Sequence, residues 1–238
     1  MDKILDYEVY TERMRKAAQD KMWFLDMVDG CDTIVDYGCA DGSLIGFMME
    51  RYPGRFRYIG VDIDEEMLRR AREGFPGVLF VTPKQLTLSH LPLDTACLCC
   101  SSVVHEVYSY GNRRSVRQFW DLVYGAGFKY VAIRDMAVSD CFFREERRWA
   151  AEAARKVLAS ADASRLLENY AWVNGVAADT LSVKDMVHFL LKYRYVENWE
   201  REVRENYLPL SVAGELPKAG RQWAKFWVCG GICAVFRE

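Results

Sequence analysis

No segment of the chain is apolar for long enough to leave water. The N-terminal stretch MDKILDYEVYTERMRKAAQDKMWF interleaves charged and apolar side chains throughout, so it provides neither the core of a secretory signal nor a membrane span. A soluble, cytoplasmic protein with no membrane partner is expected. Charge of one sign is also lacking: 32 Lys and Arg against 34 Asp and Glu leave a formal net charge of -2. Without a global basic field, nucleic acid is disfavoured as a partner, although a local patch would suffice to hold it. The 8 cysteines lie mainly in apolar runs such as TACLCC and do not supply the two CxxC knuckles of a structural zinc site, so no metal is expected. Cys229 and Cys233 flank Gly230-Gly231, where they could face each other across a hairpin; in a reducing compartment they stay thiols. There is no low-complexity stretch and no repeat beyond a recurring strand–helix unit.

What is present is a globular composition. With 51% hydrophobic and 28% charged residues in 238, the chain can bury enough apolar surface to offset its ordering entropy, and its length fits one α/β domain with an insertion. Helical spacing of Leu5, Val9, Met14, Ala17, Ala18, Met22 and Leu25 predicts an N-terminal helical cap over residues 1–30. A core over 31–138 follows. TIVDYG reads as a strand and SLIGFMMERY as a helix with Ser43 as its N-cap; RFRYIGVDI and DEEMLRRAREGF repeat the unit. VLFVT, DTACLCC and FKYVAIR are the third to fifth strands, with RRSVRQFWDLVYGAG a helix between the last two, while Thr82 to Pro92 fits a brief helix or a loop. Strands alternating with helices imply a doubly wound, mainly parallel sheet. Over 139–210 the pattern changes to long helical runs, FREERRWAAEAARKVLASA, SVKDMVHFLLKYRY and VENWEREVRENYL, which predict a helical insertion. WAKFWV and ICAVF, joined across Gly230-Gly231, predict an antiparallel hairpin over 220–238 and complete a seven-stranded sheet.

In Val35-Asp36-Tyr37-Gly38-Cys39-Ala40-Asp41-Gly42-Ser43, glycines at two positions let backbone amides approach a ligand at the start of a helix. An ordinary tight turn would use the same residues. Asp62, at the end of the second strand and 20 residues past Gly42, is where a carboxylate in such a fold meets a ribose diol. Asp36 bears on which nucleoside binds, because a carboxylate at the tip of the first strand repels a pyrophosphate and suits an ammonium and a sulfonium. That favours S-adenosylmethionine over NAD.

These residues resemble the first motif of the class I S-adenosylmethionine-dependent methyltransferases, an acidic residue followed by alternating glycines, matched by Asp36, Gly38, Ala40 and Gly42. Ala40 replaces a glycine common there. The resemblance implies a Rossmann-like transferase in which Asp36 and the loop Gly38, Cys39, Ala40 and Gly42 hold the methionine part of the cofactor, with Ser101 beside it. Asp62 would hold the ribose hydroxyls and Ile63 would pack on the adenine. Where the family commonly has an acidic residue at the adenine end, this chain has Thr82-Pro83-Lys84-Gln85.

After the fourth strand, Cys99 to Tyr108 lies at the ligand edge of the sheet. His105 is a candidate general base and Glu106 a candidate to orient or replace it; both would equally serve as loop caps. No Asn-Pro-Pro-Tyr-like motif follows that strand, so an exocyclic base amine is the less expected acceptor. Arg134-Asp135 reads as a substrate contact or a local ion pair. Tyr170, Trp172, His188, Phe189, Tyr193, Tyr195 and Trp199 give the insertion aromatic surface for a planar acceptor, though helical spacing makes most of them core, and Tyr7, Tyr10 and Arg13 would close over the cofactor. The expected activity is methyl transfer to a small-molecule acceptor. A non-catalytic cofactor-binding scaffold or partner subunit, an enzyme acting on RNA or protein, and a nucleotide-dependent oxidoreductase are the competing readings. Oligomeric state is not legible.

Overall fold

Each central strand is apolar on both faces, and the helices cover both. In a computed structural model, which describes residues 18–88, 91–138, 161–179, 181–193, 195–211, 222–228 and 232–237, the elements run β1 (Thr33–Tyr37), α1 (Ser43–Arg51), β2 (Arg57–Val61), α2 (Glu65–Gly74), β3 (Leu79–Val81), α3 (Pro83–Leu88), β4 (Ala96–Ser101), α4 (Val104–Tyr110), α5 (Arg113–Gly125) and β5 (Tyr130–Asp135). These five strands pair in parallel in the order β3-β2-β1-β4-β5. Because successive strand residues alternate between faces, Val35, Leu98, Cys100, Val131 and Ile133 pack with Phe119 and Val123 of α5, whereas Ile34, Cys97, Cys99, Tyr130 and Ala132 pack with Ile45 and Met48 of α1 and Leu68 of α2. Phe24, Leu25 and Val28, beyond the described end of the N-terminal helix, join the second layer.

The chain runs outward from β1 to β3 and returns to β4 on the other side. The strand order therefore reverses between β1 and β4, and their carboxyl ends, Tyr37 and Ser101, flank the crevice where open α/β sheets take ligands. Beyond β5 the sheet continues through two antiparallel strands, β9 (Ile232–Arg237) and then β8 (Gln222–Val228). The Gly230-Gly231 turn, Cys229, Tyr7, Tyr10, Arg13 and residues 143–160 of the expected helical run FREERRWAAEAARKVLASA lie outside the described residues.

The insertion comprises α6 (Ala161–Asn174), α7 (Val183–Lys192), a 3-10 turn at Val196–Asn198 and the short α8 (Trp199–Glu202). It has its own core of Leu167, Tyr170, Met186, Phe189 and Val203. Its two ends meet: β6 (Ala137–Val138) pairs in parallel with β7 (Leu210–Ser211), a junction not foreseen from the sequence.

Two local expectations need correction, and the choice left open over Thr82 to Pro92, a brief helix or a loop, falls to the helix. The N-cap of α1 is Gly42, at φ 79° and with no side-chain cap, because the tight turn needs a left-handed residue where Ser43 was expected; the Ser43 N–H donates instead to Asp41 Oδ1 at 3.1 Å. Thr82 to Pro92 starts as a helix, since the Thr82 N–H donates to Gln85 Oε1 at 2.8 Å and the Gln85 N–H returns to Thr82 Oγ1 at 3.3 Å, a reciprocal cap ahead of Pro83. The VENWEREVRENYL run forms only a 3-10 turn and one short helix rather than a long one.

Candidate active site

The glycine loop is held from two sides. Gly38 has φ 81°, and a Cβ there would sit 2.6 Å from Val103 Cγ2, so only glycine allows the loop to close on the segment after β4. Ala40 adopts φ 47°, and its N–H donates to Asp62 Oδ2 at 2.8 Å; Asp62 Oδ1 accepts the Asp64 N–H at 2.9 Å. Asp64 in turn caps α2 through the Glu66 and Met67 amides. Asp62 thus ties the loop to the start of α2, and each of its oxygens keeps a lone pair for a further donor. Ile63, the next residue, is 72% exposed, an apolar surface beside that carboxylate. Cys39 is buried, and its thiol donates to the Ala40 carbonyl.

At the tip of β1, Asp36 is buried, and among the described residues its Oδ2 has no hydrogen-bond partner. Burial pushes its carboxyl up to about 7; Lys21 pulls the other way and Asp62 adds to the rise. Lys21, from the end of the N-terminal helix, is itself buried, and desolvation lowers its pKa against the pull of Asp36. A buried carboxylate oxygen left without a donor is costly unless a cation or donor completes it. Together with the Gly38 cradle, it fits the ammonium end of a zwitterionic cofactor. Ser101 Oγ, at the end of β4, is a buried hydroxyl that likewise has no partner among the described residues.

On the other flank of the crevice, α4 starts immediately after β4 and carries His105 and Glu106. His105 Nδ1 lies 2.8 Å from Asp135 Oδ1, and the His105 backbone N–H donates to Asp135 Oδ2 at 3.1 Å. The Met136 N–H fixes the same carboxylate at 2.8 Å. Arg134 turns to Ser102, 3.4 Å from its hydroxyl. Of the two readings of Arg134-Asp135, the local ion pair does not form, because neighbouring strand residues face opposite sides of the sheet. Burial opposes charge on His105, but the Asp135 hydrogen bond and charge, with Glu106 and Glu205 behind them, outweigh it and raise its pKa. Glu106 Oε1 accepts from Arg201 Nη2 at 2.8 Å; burial raises its pKa first, with Arg201 and His105 opposing and Glu205 and Asp62 reinforcing the rise.

The insertion supplies the rest of this flank. Arg201 Nε and Tyr110 Oη both donate to Glu205 Oε1, each at 2.8 Å, and the Asn206 N–H reaches Ser109 Oγ at 2.6 Å. Tyr207 stands edge-on to His105, with ring centroids 5.5 Å apart, and donates its hydroxyl to Glu202. The Tyr207 N–H donates to His188 Nε2 at 2.9 Å, so Nδ1 carries the proton given to Tyr170 Oη at 3.0 Å. Lys192 is fully buried and donates to the Glu205 carbonyl. Of the insertion aromatics, Tyr170, His188, Phe189, Tyr193 and Trp199 pack with one another, while Trp172 is 85% exposed. Lys21, Arg201, Glu205 and Tyr207 were not singled out as site residues from sequence. Asp135 was, as an acid at the end of a buried strand, but its pairing with His105 was not. Among the described residues, no cluster of His, Cys, Asp and Glu could hold a metal ion, and no helix is long and apolar enough to cross a membrane.

This combination of switch-point crevice, glycine cradle and paired acids matches what is known elsewhere. Residues 34–127 match the family described as Methyltransferase domain. Trans-aconitate 2-methyltransferase from Azoarcus sp. (strain BH72) is 36% identical over 72 residues, 30% of this chain and 28% of the relative. The same enzyme from Acidovorax sp. (strain JS42) is 46% identical over 48 residues, 20% of this chain and 18% of the relative. The chain thus aligns with under a third of these relatives' length. Among solved structures, the PH0226 protein from Pyrococcus horikoshii OT3 superposes with a TM-score of 0.54 at 15% identity, covering 98% of this chain and 92% of that one. PKMT2 from Rickettsia typhi gives 0.52 at 11% identity, covering 88% and 49%. Both likenesses concern the fold.

Proposed function

We propose that the protein transfers a methyl group from S-adenosylmethionine to a small or medium-sized acceptor by direct displacement. The observation that carries this reading is Asp36: a buried carboxylate with one oxygen unpartnered among the described residues, at the tip of β1 and beside a loop that only Gly38 lets close. In this reading Asp36 and the backbone of Gly38, Cys39, Ala40 and Gly42 receive the methionine end, with Ser101 alongside. Asp62 takes the ribose diol and Ile63 the adenine. The sulfonium supplies an activated methyl group, so the protein mainly positions the reactants and excludes water. His105 and Glu106 are the candidate catalytic residues, and the small-molecule relatives support an acceptor of modest size.

The finer architecture belongs to the same reading: a seven-stranded sheet closed by the C-terminal hairpin, an N-terminal cap over the cofactor and an insertion that selects the acceptor. Its buried free thiols suit a cytoplasmic enzyme. Isothermal titration with S-adenosylhomocysteine and, separately, NADH tests the proposal. Saturable binding of the first alone is expected; binding of NADH alone would overturn it.

A further inference from the structure

His105 is positioned more rigidly than a loop cap requires. Asp135 grips it twice, at the backbone amide and at Nδ1, and the Met136 amide holds Asp135 in place. With Nδ1 committed as donor to a carboxylate, the neutral imidazole must present Nε2 as its acceptor. Among the described residues that nitrogen has no hydrogen-bond partner, while the Tyr207 ring edge stands against the imidazole. His188 shows the contrast: both of its nitrogens are consumed, by Tyr170 and the Tyr207 amide, and burial, with Lys192 and Lys184 adding to it, lowers its pKa to about 3.

Charges from three places act on His105: Asp135 on β5, Glu106 on α4 and Glu205 just after α8. Arg201 on α8 and Lys192 on α7 meet these acids in turn. Arg201 is shared between Glu106 and Glu205, and Lys192 meets a carbonyl oxygen. Carboxylates therefore outnumber cations here. Such a field favours an imidazolium and repels an anionic acceptor.

We propose that the acceptor, within the methyl-transfer reading above, is a hydroxyl or phenol that enters with its proton, that His105 Nε2 takes this proton, and that Asp135 is the positioning residue. As the acceptor oxygen forms its bond to the methyl carbon, the carbon–sulfur pair stays on sulfur and the O–H proton moves to Nε2. The products are a methyl ether, neutral S-adenosylhomocysteine and an imidazolium paired with Asp135. A carboxylate acceptor, which has no proton to lose, would leave this dyad without a task.

The test is a nitrogen-15 titration of the histidines in the full chain saturated with S-adenosylhomocysteine, for the wild type and Asp135→Asn. In the wild type, His105 is expected to titrate above the ordinary histidine value and to be the Nδ1–H tautomer when neutral. In Asp135→Asn its pKa should fall by at least one unit, with S-adenosylhomocysteine affinity within about threefold of wild type. A His105 signal that does not titrate, or that is unmoved by the substitution while the ligand still binds, overturns the proposal and leaves the cofactor reading intact; failure of the ligand to bind instead strikes that reading. A second measurement follows labelled methyl transferred into a metabolite extract. Alkali-stable label that hydriodic acid releases as iodomethane, the mark of a methyl ether, supports the hydroxyl class; label released as methanol in mild alkali, the mark of a methyl ester, or label stable to both treatments overturns it.

Discussion

Glu106 and Arg201 are 95 positions apart in the chain, yet Nη2 of one lies 2.8 Å from Oε1 of the other. The same guanidinium holds Glu205 through Nε, so one side chain ties the helix that carries His105 to the last turn of the insertion. In the proposed reading, acceptor selection and proton handling share a single joint.

Arg201→Met should leave the Glu205 carboxylate, 4% exposed, without its cation. Breaking a buried pair from one side costs about 3–5 kcal/mol, and because Arg201 is partly exposed the expected loss is on the order of 2 kcal/mol. Urea denaturation measures it. S-adenosylhomocysteine affinity should stay close to wild type, since the joint lies on the acceptor flank.

Asp62→Ala should weaken S-adenosylhomocysteine by about 10- to 100-fold, the equivalent of roughly 1.5–3 kcal/mol for charge-assisted hydrogen bonds. The Ala40 and Asp64 amides would lose their acceptor in the same variant. Calorimetry at several temperatures separates a lost contact from a loosened loop, and an unchanged dissociation constant removes Asp62 from the ribose role.

Asp36 makes ligand binding depend on pH. Its folded pKa of about 7 lies above the ordinary 3.8, so the carboxyl is protonated below neutrality and ionises as pH rises through 7. An ammonium ligand prefers the ionised form. S-adenosylhomocysteine affinity should rise by up to about tenfold per pH unit below that value and level off above it. Asp36→Asn should bind more weakly and lose this slope. In the unliganded protein the sign is reversed: a raised carboxyl pKa favours the folded state at low pH, and that contribution is lost as pH climbs towards 7.

S-adenosylhomocysteine should also raise the melting temperature, by mass action on the native state; at 100 times its dissociation constant the stabilisation is about 2.7 kcal/mol. A verified folded sample with no shift at millimolar ligand would count against the cofactor.

Among the insertion aromatics the expected outcomes diverge. Trp199 sits edge-on to Phe189 and donates to Asn169 Oδ1 at 2.8 Å, so Trp199→Ala should cost on the order of 3 kcal/mol of stability. Trp172→Ala, at an exposed position, should leave folding within about 0.5 kcal/mol. An effect on acceptor KM from Trp172 alone would mark it as an acceptor contact.

The parallel core was legible because its signals are local. Runs such as TIVDY and ACLCC are apolar on both faces, and Asp36 and Asp62 stand at strand ends whose position follows from the strand count alone. The flank that faces the acceptor was not. Asp135 lies 30 positions from His105, and Glu205 lies 95 from Tyr110. No periodicity announces such pairs, since they exist only once β5 lies beside β4 and the insertion has folded back. Lys21 was hidden for a related reason: a lysine on an amphipathic helix normally faces water, and only tertiary packing turned this one towards Asp36.

The central strand carries a further property in its thiols. Cys97, Cys99 and Cys100 are buried on alternate faces of β4, and burial raises each well above the ordinary thiol pKa. Alkylating reagents attack the thiolate, so these sulfurs are inert for as long as β1 and β5 stay zipped to either side. Their alkylation rate is then a clock for the separation of β4 from its neighbours, the event that would also part Asp36 from the crevice. A ligand that bridges β1 and β4 should slow that clock, even though it touches none of the three sulfurs.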